Sequence, residues 1–308
     1  MTFKQLEALY WVAQLNGFGP AAQKLHTSQS AVSKRVQELE AAFDTQLFDR
    51  SLRSARLTEK GEEMFALAKH LLEQRDAAIE QFSKPEVIER RVRIGVTELT
   101  AMTWLYRLVE LIQEYYPKVT IEPDVDASVN LREKLLSDEL DLVIVPDAFP
   151  EDRLQKKTVG GFESAWMCKP GLVEPGRVYR LHELATHRLI LQGSRSGAGV
   201  AYASWMKSQG VAPADAIVVN NMIAVIGLTV SGLGISYLPV RCLSPMVGAG
   251  SLAVVPCTPS PPANTYAAMY KGENRSTLIS SIVMLAQNCC DFTRAFQAFG
   301  TVTQPAPV

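Results

Sequence analysis

The sequence lacks the features of a secreted or membrane-spanning protein. Its N-terminus, MTFKQLEALYWV, has no basic flank leading into an unbroken apolar run, and a secretory signal requires both. The longest charge-free stretch, residues 216–240, is interrupted by asparagine, glycine and proline. These interruptions favour a buried strand, a short helix and a second strand over a membrane span. We therefore expect a cytoplasmic protein with no membrane partner.

Cysteine is scarce and irregularly placed. The five residues are odd in number and lack metal-ligand spacing: Cys168, Cys242, Cys257, Cys289 and Cys290. This pattern predicts reduced structural thiols and no metal site. A redox sensor needs paired cysteines that can approach each other, and adjacent residues on a helix are poorly placed to bridge.

No catalytic pattern is present either. His182 and His187 stand one residue too far apart to share a helix face as zinc ligands do. Residues 193–197 have no central serine, which a nucleophile elbow requires, and Gly197 and Gly199 lack the third glycine of a dinucleotide-binding loop. We therefore predict a protein that is not an enzyme, with no catalytic residues and no cofactor.

Size and charge point to several units with different roles. The chain has 308 residues, 47% of them hydrophobic, and a net charge of -1, which predicts two or three compact units. Residues 1–60 contain eight Lys and Arg against six Asp and Glu. Only this N-terminal part is net positive, and a weakly basic module suits nucleic acid.

The first two helices are expected to brace a third. Apolar residues at helical spacing predict a first helix from about Phe3 that stops at residues 16–17. Gly19 as N-cap and Pro20 at the first helical position predict the start of a second helix. Its small inward side chains would let the next helix cross closely.

The third helix carries the predicted DNA contacts. It starts after residues 27–28, and Val32, Val36, Leu39 and Phe43 share one face, so short polar side chains fall on the opposite face. Such side chains can read base edges in the major groove, although a solvated polar face is the simpler alternative. Leu47, Phe48 and Leu57 would anchor a two-stranded wing behind an arginine loop that faces the DNA backbone. The predicted DNA-binding residues are Ser28, Gln29, Ser30, Ser33, Lys34, Gln37, Arg50 and Arg53.

A family resemblance rests on many of these positions together. Residues Ala21-Ala22, Leu25, Ser28-Gln29, Ser33, Leu39-Glu40, Leu47-Phe48, Arg50, Leu57-Thr58 and Gly61 resemble the winged helix-turn-helix signature of LysR-type transcriptional regulators. The chain length and layout resemble that family to the end. Two positions depart from it: Ser30 stands where the family usually has proline, and Asp44 where it has glycine. The recognition helix is expected to be looser at its entry and in the turn after it.

A long helix after the wing is expected to pair two copies of the chain. Thr58 can cap it, and the stripe Phe65, Leu72, Ile79 and Phe82 would lie in water in a monomer. Burial of this stripe favours a dimer, although Arg75 interrupts it and could bridge to an acidic partner instead. The resemblance implies the same dimerisation through a linker helix, often followed by tetramerisation.

From residue 91 onward, strands alternate with helices. Predicted strands span 92–96, 119–125, 142–145, 162–169, 188–191, 216–219, 234–238 and 253–255; predicted helices span 99–116, 129–137, 195–208, 222–231 and 276–296. Ser128 is expected to cap the second of these helices, and residues 147–160 to be irregular. This alternation predicts an α/β sheet.

Combined with the resemblance, the pattern predicts three parts. These are an N-terminal all-α winged helix-turn-helix domain (1–60), a linker helix and hinge (58–90), and a C-terminal α/β effector domain (91–308). The resemblance implies that the last part has two subdomains similar to periplasmic binding proteins, about 91–161 plus 267–300, and about 162–266.

A ligand cleft is expected where strands end and helices begin. The residues at these places are Thr97, Glu98, Thr100, Ser128, Pro146, Gln192, Arg195, Ser196, Asn220 and Asn221. Hydroxyl groups at converging helix N-termini, with Arg195 nearby, favour an anionic effector such as a carboxylate. The alternative for each Ser and Thr is a plain helix cap.

The sequence therefore predicts a LysR-type regulator whose promoter binding or DNA bending is controlled by a small, anionic effector. Expected partners are double-stranded promoter DNA, the small-molecule effector and a second or further copies of the chain in a homodimer or homotetramer, with RNA polymerase as an open candidate. Two alternatives remain: a redox-sensing regulator, and a small-molecule-binding α/β protein whose N-terminal helices only mediate assembly.

Overall fold

The computed structural model of the chain describes residues 1–49, 55–149, 153–271 and 277–295. The contacts of these residues divide the chain into two compact units. One covers residues 1–83, and the other covers nearly all of the described chain from residue 84 on. Within the described ranges, no helix is long and apolar enough to cross a membrane.

The first unit is helical. Its elements are α1 (Phe3–Gln14), α2 (Phe18–Lys24), α3 (Gln29–Phe43) and α4 (Glu59–Phe82). Leu9, Val12, Val32 and Leu39 are fully buried where the helices meet. An antiparallel bridge between Phe48 and Leu57 precedes α4, so the predicted wing is anchored by two of the three apolar residues assigned to it. Buried side chains of this kind are what hold so small a helical unit together.

Two details of the helical prediction are wrong. α2 begins at Phe18 with Gly17 as its N-cap, so Pro20 lies two positions further into the helix than expected. The Phe43 side chain is 47% exposed and does not join the buried face of α3. Phe43 is the last residue of α3. The end of a helix frequently extends beyond the core against which its middle packs.

The apolar stripe on α4 is divided between core and solvent. Thr58 caps the helix as predicted, its hydroxyl accepting a hydrogen bond from the Gly61 N–H at 3.0 Å. Leu72 is buried in the core of its own unit and the half-buried Phe65 ring stacks on Tyr10. The expectation that a monomer leaves these two residues in water is therefore wrong. The C-terminal part of the stripe does remain in solvent, with Ile79 56% and Phe82 87% exposed.

Arg75 pairs within the chain rather than across the stripe. Its guanidinium lies 2.5 Å from the Glu7 carboxylate of α1 and 2.7 Å from Asp76. It also lies over the Phe3 ring at 5.4 Å. Partial burial opposes its charge, but the hydrogen bonds that the guanidinium donates to these carboxylates raise the pKa of Arg75 overall. The residue therefore ties α4 to α1.

The second unit is built on strands. They are β1 (Arg91–Val96), β2 (Thr120–Val125), β3 (Leu142–Pro146), β4 (Leu154–Phe162), β5 (Ser164–Cys168), β6 (Tyr179–Arg180), β7 (Arg188–Gln192), β8 (Asp215–Val219), β9 (Ser236–Pro239), β10 (Ala253–Val255), β11 (Cys257–Thr258) and β12 (Asn264–Lys271). A five-stranded sheet has the order β2-β1-β3-β12-β4, and a three-stranded sheet has the order β10-β5-β9. The remaining strands form two two-stranded sheets, β7-β8 and β11-β6.

Helices cover these sheets. They are α5 (Glu98–Thr103), α6 (Leu105–Tyr115), α7 (Ser128–Leu136), α8 (Leu181–Leu184), α9 (Gly197–Ser208), α10 (Met222–Val230), α11 (Ser244–Gly248) and α12 (Thr277–Cys289), with a short 3-10 turn at Pro85–Val87. Buried residues of α6 and α12 join β1 and β3 in one core, while α7 packs on a second core with Val143 and Ala267. A third core surrounds Trp166, Tyr202 and Tyr237. The first sheet is thus covered on two faces, as a mainly parallel sheet requires.

Several elements of the second unit differ from prediction. The expected helix 99–116 breaks at Trp104, where the backbone leaves the helical region. Residues 147–160 contain most of β4, a strand with four consecutive exposed residues at a sheet edge. Ser128 is the first residue of α7 and caps nothing, because Ala127 holds the N-cap position. β12 was not predicted from sequence.

The chain crosses between its two main sheets at neighbouring points. The first crossing follows β4 and leads into β5, and the second leads into β12. Phe162 at the end of β4 pairs in register with Asn264 at the start of β12. The Asn264 amide donates to the Ser164 hydroxyl at 3.1 Å and to the Tyr202 hydroxyl at 2.9 Å. Both crossings are therefore bound to each other and to α9.

Candidate nucleic-acid interface and ligand cavity

The outward surface of α3 carries polar side chains and the exposed cation Lys34. Gln29, Ser30, Lys34 and Gln37 are exposed, and Ser33 is half-buried. No acidic side chain occurs in the first turn of α3. A helix with this surface and a positive N-terminal end can approach phosphate and present donors to base edges.

The predicted contact residues at the start of α3 are held by local hydrogen bonds. The Ser28 hydroxyl caps the helix by accepting from the Ala31 N–H at 3.2 Å, and it lies 3.0 Å from the Ser30 hydroxyl. Ser30 therefore replaces the family's proline with a second hydroxyl at the helix entry. Arg50 and Arg53, also predicted to contact DNA, lie outside the described residues.

The far end of α3 contains an anchor that the sequence pattern did not reveal. Glu40 is only 7% exposed, and its carboxylate accepts from the Leu47 N–H at 2.8 Å and the Phe48 N–H at 3.3 Å. Asp44 ends the helix with φ of 47°, a left-handed conformation that aspartate tolerates better than most residues. α3 is thus fixed to the first strand of the wing by a buried carboxylate.

A cavity of about 440 Å³ lies in the second unit, between the end of the five-stranded sheet and the ends of the β7-β8 pair with α9 and α10. Seven of the ten predicted ligand residues line it: Thr97, Glu98, Ser128, Pro146, Gln192, Ser196 and Asn220. The other lining residues are Leu99, Asp126, Ala127, Phe162, Ala198, Met222 and Tyr266. This volume includes space that is open to solvent. The walls approach closely, since a Cβ added to Gly197 on α9 would come within 3.1 Å of the Pro146 side chain.

Three predicted ligand residues are not in the lining. Thr100 is fully buried, and its hydroxyl oxygen has no hydrogen-bond partner. Arg195 is exposed, and its backbone carbonyl accepts from the Val129 N–H at 3.1 Å. Asn221 is exposed and caps α10, its side-chain oxygen accepting from the Ala224 N–H at 2.9 Å. Arg195 therefore does not lie in the cavity lining, contrary to prediction.

Four helices begin at the cavity wall, and they differ in how they are capped. Ser196 caps α9 by accepting from the Gly199 N–H at 3.3 Å, and Asn221 caps α10. α7, with nine residues, has no side-chain cap. Ser128 at its start is 2% exposed and lines the cavity, and its hydroxyl has no hydrogen-bond partner among the residues that the structure describes. α5 is a single six-residue turn with Glu98 at its start.

Glu98 connects two walls of the cavity. One carboxylate oxygen accepts from the Met222 N–H at 2.6 Å, and the other accepts from the Asn221 side-chain amide. The carboxylate thus lies at the N-terminus of α10, where the helix dipole stabilises a negative charge.

Asp126, the second carboxylate in the lining, is already paired. Lys134 lies 3.0 Å from it and 2.8 Å from Asp124. Partial burial opposes the charge, but hydrogen bonds from Lys134, the Ala127 N–H and Asn130 lower the pKa of Asp126 below its ordinary value. The group is therefore ionised and held against α7.

Aromatic residues close the remaining wall. The Tyr266 hydroxyl lies 3.0 Å from the Thr97 hydroxyl, and the Tyr266 ring packs on Phe162. Burial raises the pKa of Tyr266 far above its ordinary value, so the phenol stays neutral. Tyr266 was not predicted as a cavity residue because β12 was not predicted. Asp126 was not predicted either, although its position shortly before a predicted helix start is of the kind that indicated the other cavity residues.

The thiols are shielded. Cys168, Cys242 and Cys289 are buried and Cys257 and Cys290 half-buried, all of them free. Burial raises the pKa of Cys242, Cys257 and Cys289 to about 11 and, with the neighbouring Cys289 and Asp291, that of Cys290 to about 12. In the part of the chain that the structure covers, no group of three or more His, Cys, Asp or Glu residues could hold a metal ion.

Comparisons with known proteins cover both units. The family described as "Bacterial regulatory helix-turn-helix protein, lysR family" matches residues 3–62, and that described as "LysR substrate binding domain" matches residues 85–289. The HTH-type transcriptional regulator MetR of Escherichia coli is 24% identical over 307 residues, 99% of this chain and 96% of that protein. The HTH-type transcriptional regulator PecT of Dickeya dadantii is 28% identical over 238 residues, 76% of this chain and 71% of that protein.

Solved structures show the same fold. A full-length OxyR variant from Pseudomonas aeruginosa superposes with a TM-score of 0.68 at 22% identity, covering 99% of each chain. Full-length LysG from Corynebacterium glutamicum, solved with bound effector Arg, superposes with a TM-score of 0.59 at 19% identity, covering 94% of this chain and 98% of that one. At these identities the likeness concerns the fold alone.

Proposed function

This chain belongs to the LysR family of bacterial transcriptional regulators, and we propose that its α3 face reads an operator under the control of a small anionic effector bound in the cavity. The chain is accordingly a DNA-binding transcription regulator. Three further points are proposals: which residues contact DNA, which class of effector binds, and how two copies of the chain pair.

The observation that supports the DNA contact is the charge and exposure of α3. Lys34 is exposed among Gln29, Ser30 and Gln37, on a helix fixed by a buried core on its opposite face. Phosphate contacts by such a lysine release counterions, so binding weakens as salt rises. Lys34→Ala should weaken operator binding and reduce the salt slope by about one unit.

The test uses duplexes selected from a random pool by the full-length protein, with binding followed by fluorescence anisotropy across a salt series. Lys207→Ala, which removes an exposed lysine from α9 in the second unit, is the matched control and should leave the slope unchanged. Equal slopes for Lys34→Ala and the unaltered protein would refute the contact.

The observation that supports an anionic effector is the uncapped start of α7. At this helix start the Ala127 N–H already donates to Asp126 and the Val129 N–H to the Arg195 carbonyl. Ser128 is 2% exposed and lines the cavity, and its hydroxyl has no partner among the described residues. A ligand carboxylate in the cavity can accept a hydrogen bond from this hydroxyl, and the positive end of the α7 dipole favours a negative charge there.

A thermal-shift screen of the full-length protein against organic acids and amino acids tests this subsite. Carboxylates that bind should raise the unfolding temperature, since a ligand that binds only the folded state stabilises it. Ser128→Ala should lose the shift, while Ser137→Ala, at the exposed end of α7, should retain it. No shift from any carboxylate would count against an anionic effector.

Pairing through the end of α4 is the third proposed part. Ile79 and Phe82 are exposed in the single chain, and their burial against a second copy would hold two DNA-reading heads together. Two heads held at fixed spacing read a roughly palindromic site. An effector in the cavity would then act by changing how the paired heads lie on the duplex.

A further inference from the structure

We propose that the effector is zwitterionic, with an ammonium group bound by Glu98 and a carboxylate bound beside Ser128. This inference rests on the proposed function, because it assigns a second subsite in the same cavity. It narrows the ligand class from carboxylates in general to α-amino acids and related compounds.

The charges of the lining carry the first step. Of the described residues that line the cavity, the charged ones are Glu98 and Asp126, and none is Lys, Arg or His. A ligand that is only an anion would therefore meet two carboxylates and no basic side chain. Repulsion between like charges opposes binding, so a carboxylate that also carries a positive group suits the lining better than a carboxylate alone.

The two lining carboxylates differ in whether a cation partners them. Asp126 is paired with Lys134 at 3.0 Å. Among the described residues, Glu98 receives hydrogen bonds from two neutral donors, the Met222 N–H and the Asn221 amide. The N-terminus of α10 offsets about half of a unit charge. Glu98 therefore keeps a residual negative charge at the cavity wall, and each of its oxygens has a lone pair left to accept from an ammonium group.

Ser128 supplies the independent second observation. It is 2% exposed, faces the same cavity at the uncapped start of α7 and makes no hydrogen bond to the residues that the structure describes. The wall at α7 thus offers the Ser128 hydroxyl to a carboxylate, and the wall at α5 and α10 offers an acceptor for a cation. A ligand that carries both groups satisfies both walls, whereas a ligand with one group leaves the other wall unsatisfied.

The apolar residues of the lining indicate what side chain the ligand carries besides its ammonium and carboxylate groups. Leu99, Phe162, Ala198 and Met222 are apolar, and the phenol of Tyr266 is turned to Thr97. An apolar side chain fits such walls. The inferred class is therefore amino acids with apolar side chains.

The experiment uses matched sets of three compounds with full-length protein. The apolar L-amino acids alanine, valine, leucine, methionine and phenylalanine are each compared with the corresponding deaminated acid and decarboxylated amine. For leucine these are isocaproate and isoamylamine. Binding is measured by thermal shift and then by isothermal titration calorimetry. At least one amino acid should bind more tightly than both of its analogues, by about tenfold or more for a lost charged hydrogen bond.

Variants separate the two subsites. Glu98→Gln keeps the shape and one acceptor but removes the charge, so it should lower amino-acid affinity by about tenfold or more and leave the affinity for the deaminated acid unchanged or higher. Ser128→Ala should weaken both. Circular dichroism confirms that each variant is folded.

Each other outcome overturns the inference in a distinguishable way. If a deaminated acid binds as tightly as its amino acid, the ammonium subsite is refuted and the anionic effector stands. If the amines alone bind, both the zwitterion and the anionic effector are refuted. If no amino acid shifts the unfolding temperature, the zwitterion is refuted, and the organic acids then decide the proposed function. If Glu98→Gln binds the amino acid unchanged, Glu98 is not the cation site.

Discussion

The Glu98 carboxylate accepts a hydrogen bond from the backbone N–H of Met222 at 2.6 Å. This contact ties the start of α5, which follows β1 of the five-stranded sheet, to the start of α10 beside the other sheet. It is made by a charged acceptor at a helix N-terminus, and such hydrogen bonds are stronger than neutral ones.

Removal of this contact should loosen α10 before it affects the rest of the unit. Glu98→Ala takes away the acceptor for Met222 and Asn221, at a cost of about 1.5 to 3 kcal/mol for hydrogen bonds to a charged group. Amide exchange in the first turn of α10, followed by mass spectrometry without ligand, should accelerate by about tenfold or more. Glu110→Ala, an exposed carboxylate on α6, should leave that exchange unchanged, and equal rates in both variants would contradict the contact.

The buried Glu40 should stabilise the DNA-reading head. Glu40→Ala leaves the N–H groups of Leu47 and Phe48 without the acceptor that they have at 2.8 and 3.3 Å. An unsatisfied buried donor costs about 1 to 3 kcal/mol, so exchange of the α3 amides should accelerate and operator binding should weaken. Glu40→Gln retains one acceptor oxygen and should recover part of the loss.

Glu38→Ala is the control for this prediction. Its exposed side chain lies two positions away on the same helix and accepts one hydrogen bond from the Gln5 side-chain amide at 3.2 Å. Its removal should cost less than that of Glu40, because no buried N–H group loses its acceptor. If Glu38→Ala and Glu40→Ala were equally destabilising, the carboxylate of Glu40 would not be the anchor.

Self-association should depend on the solvent-exposed end of α4. Ile79→Asp and Phe82→Asp place charge on a surface that is 56% and 87% exposed in the single chain. Each apolar side chain contributes about 1.5 to 3 kcal/mol when fully buried, so the double variant should dissociate at concentrations where the unaltered chain is associated. Sedimentation equilibrium measures this directly. Met284→Asp, on a residue of α12 that is 62% exposed, should associate normally, and unchanged association of the double variant would exclude this surface.

DNA binding should be insensitive to peroxide. The thiolate is the reactive form, and a thiol whose pKa is about 11 is ionised to only about one part in 10⁴ at neutral pH. Operator affinity after treatment with excess hydrogen peroxide should remain within about twofold of the untreated value, a margin well below one kcal/mol. Loss of binding that a thiol reductant restores would instead favour the redox-sensing alternative.

The sequence predicted those features that depend on local pattern. The buried faces of α1 and α3, the Thr58 cap and the strand β1 follow from spacing and from a capping side chain. Seven cavity residues were found because strand ends and helix starts meet at one edge of such a sheet. The family assignment followed from many matched positions in the helix-turn-helix rather than from any single motif.

Other features depend on tertiary contacts that spacing does not encode. Glu40 looks like a surface acid in the sequence, and only the return of the wing strand supplies the donors that permit its burial. Leu72 looks like a dimer contact, but α1 of the same chain covers it. The strand β4 is polar because it lies at a sheet edge, so alternation gave no signal. Arg195 stands beside cavity residues in sequence, yet the turn before α9 directs it to solvent.

The register between Phe162 and Asn264 has a consequence for the architecture of the gene. Because the two residues are paired neighbours, residues 163–263 leave the first sheet and return to it at adjacent positions. The segment is therefore organised as an insertion into the domain that contains β1 to β4 and β12. Insertions with adjacent ends can be exchanged between relatives or circularly permuted with little disturbance of the host. Recombination at these two codons would replace one wall of the cavity while leaving the other wall and the DNA-reading head unchanged.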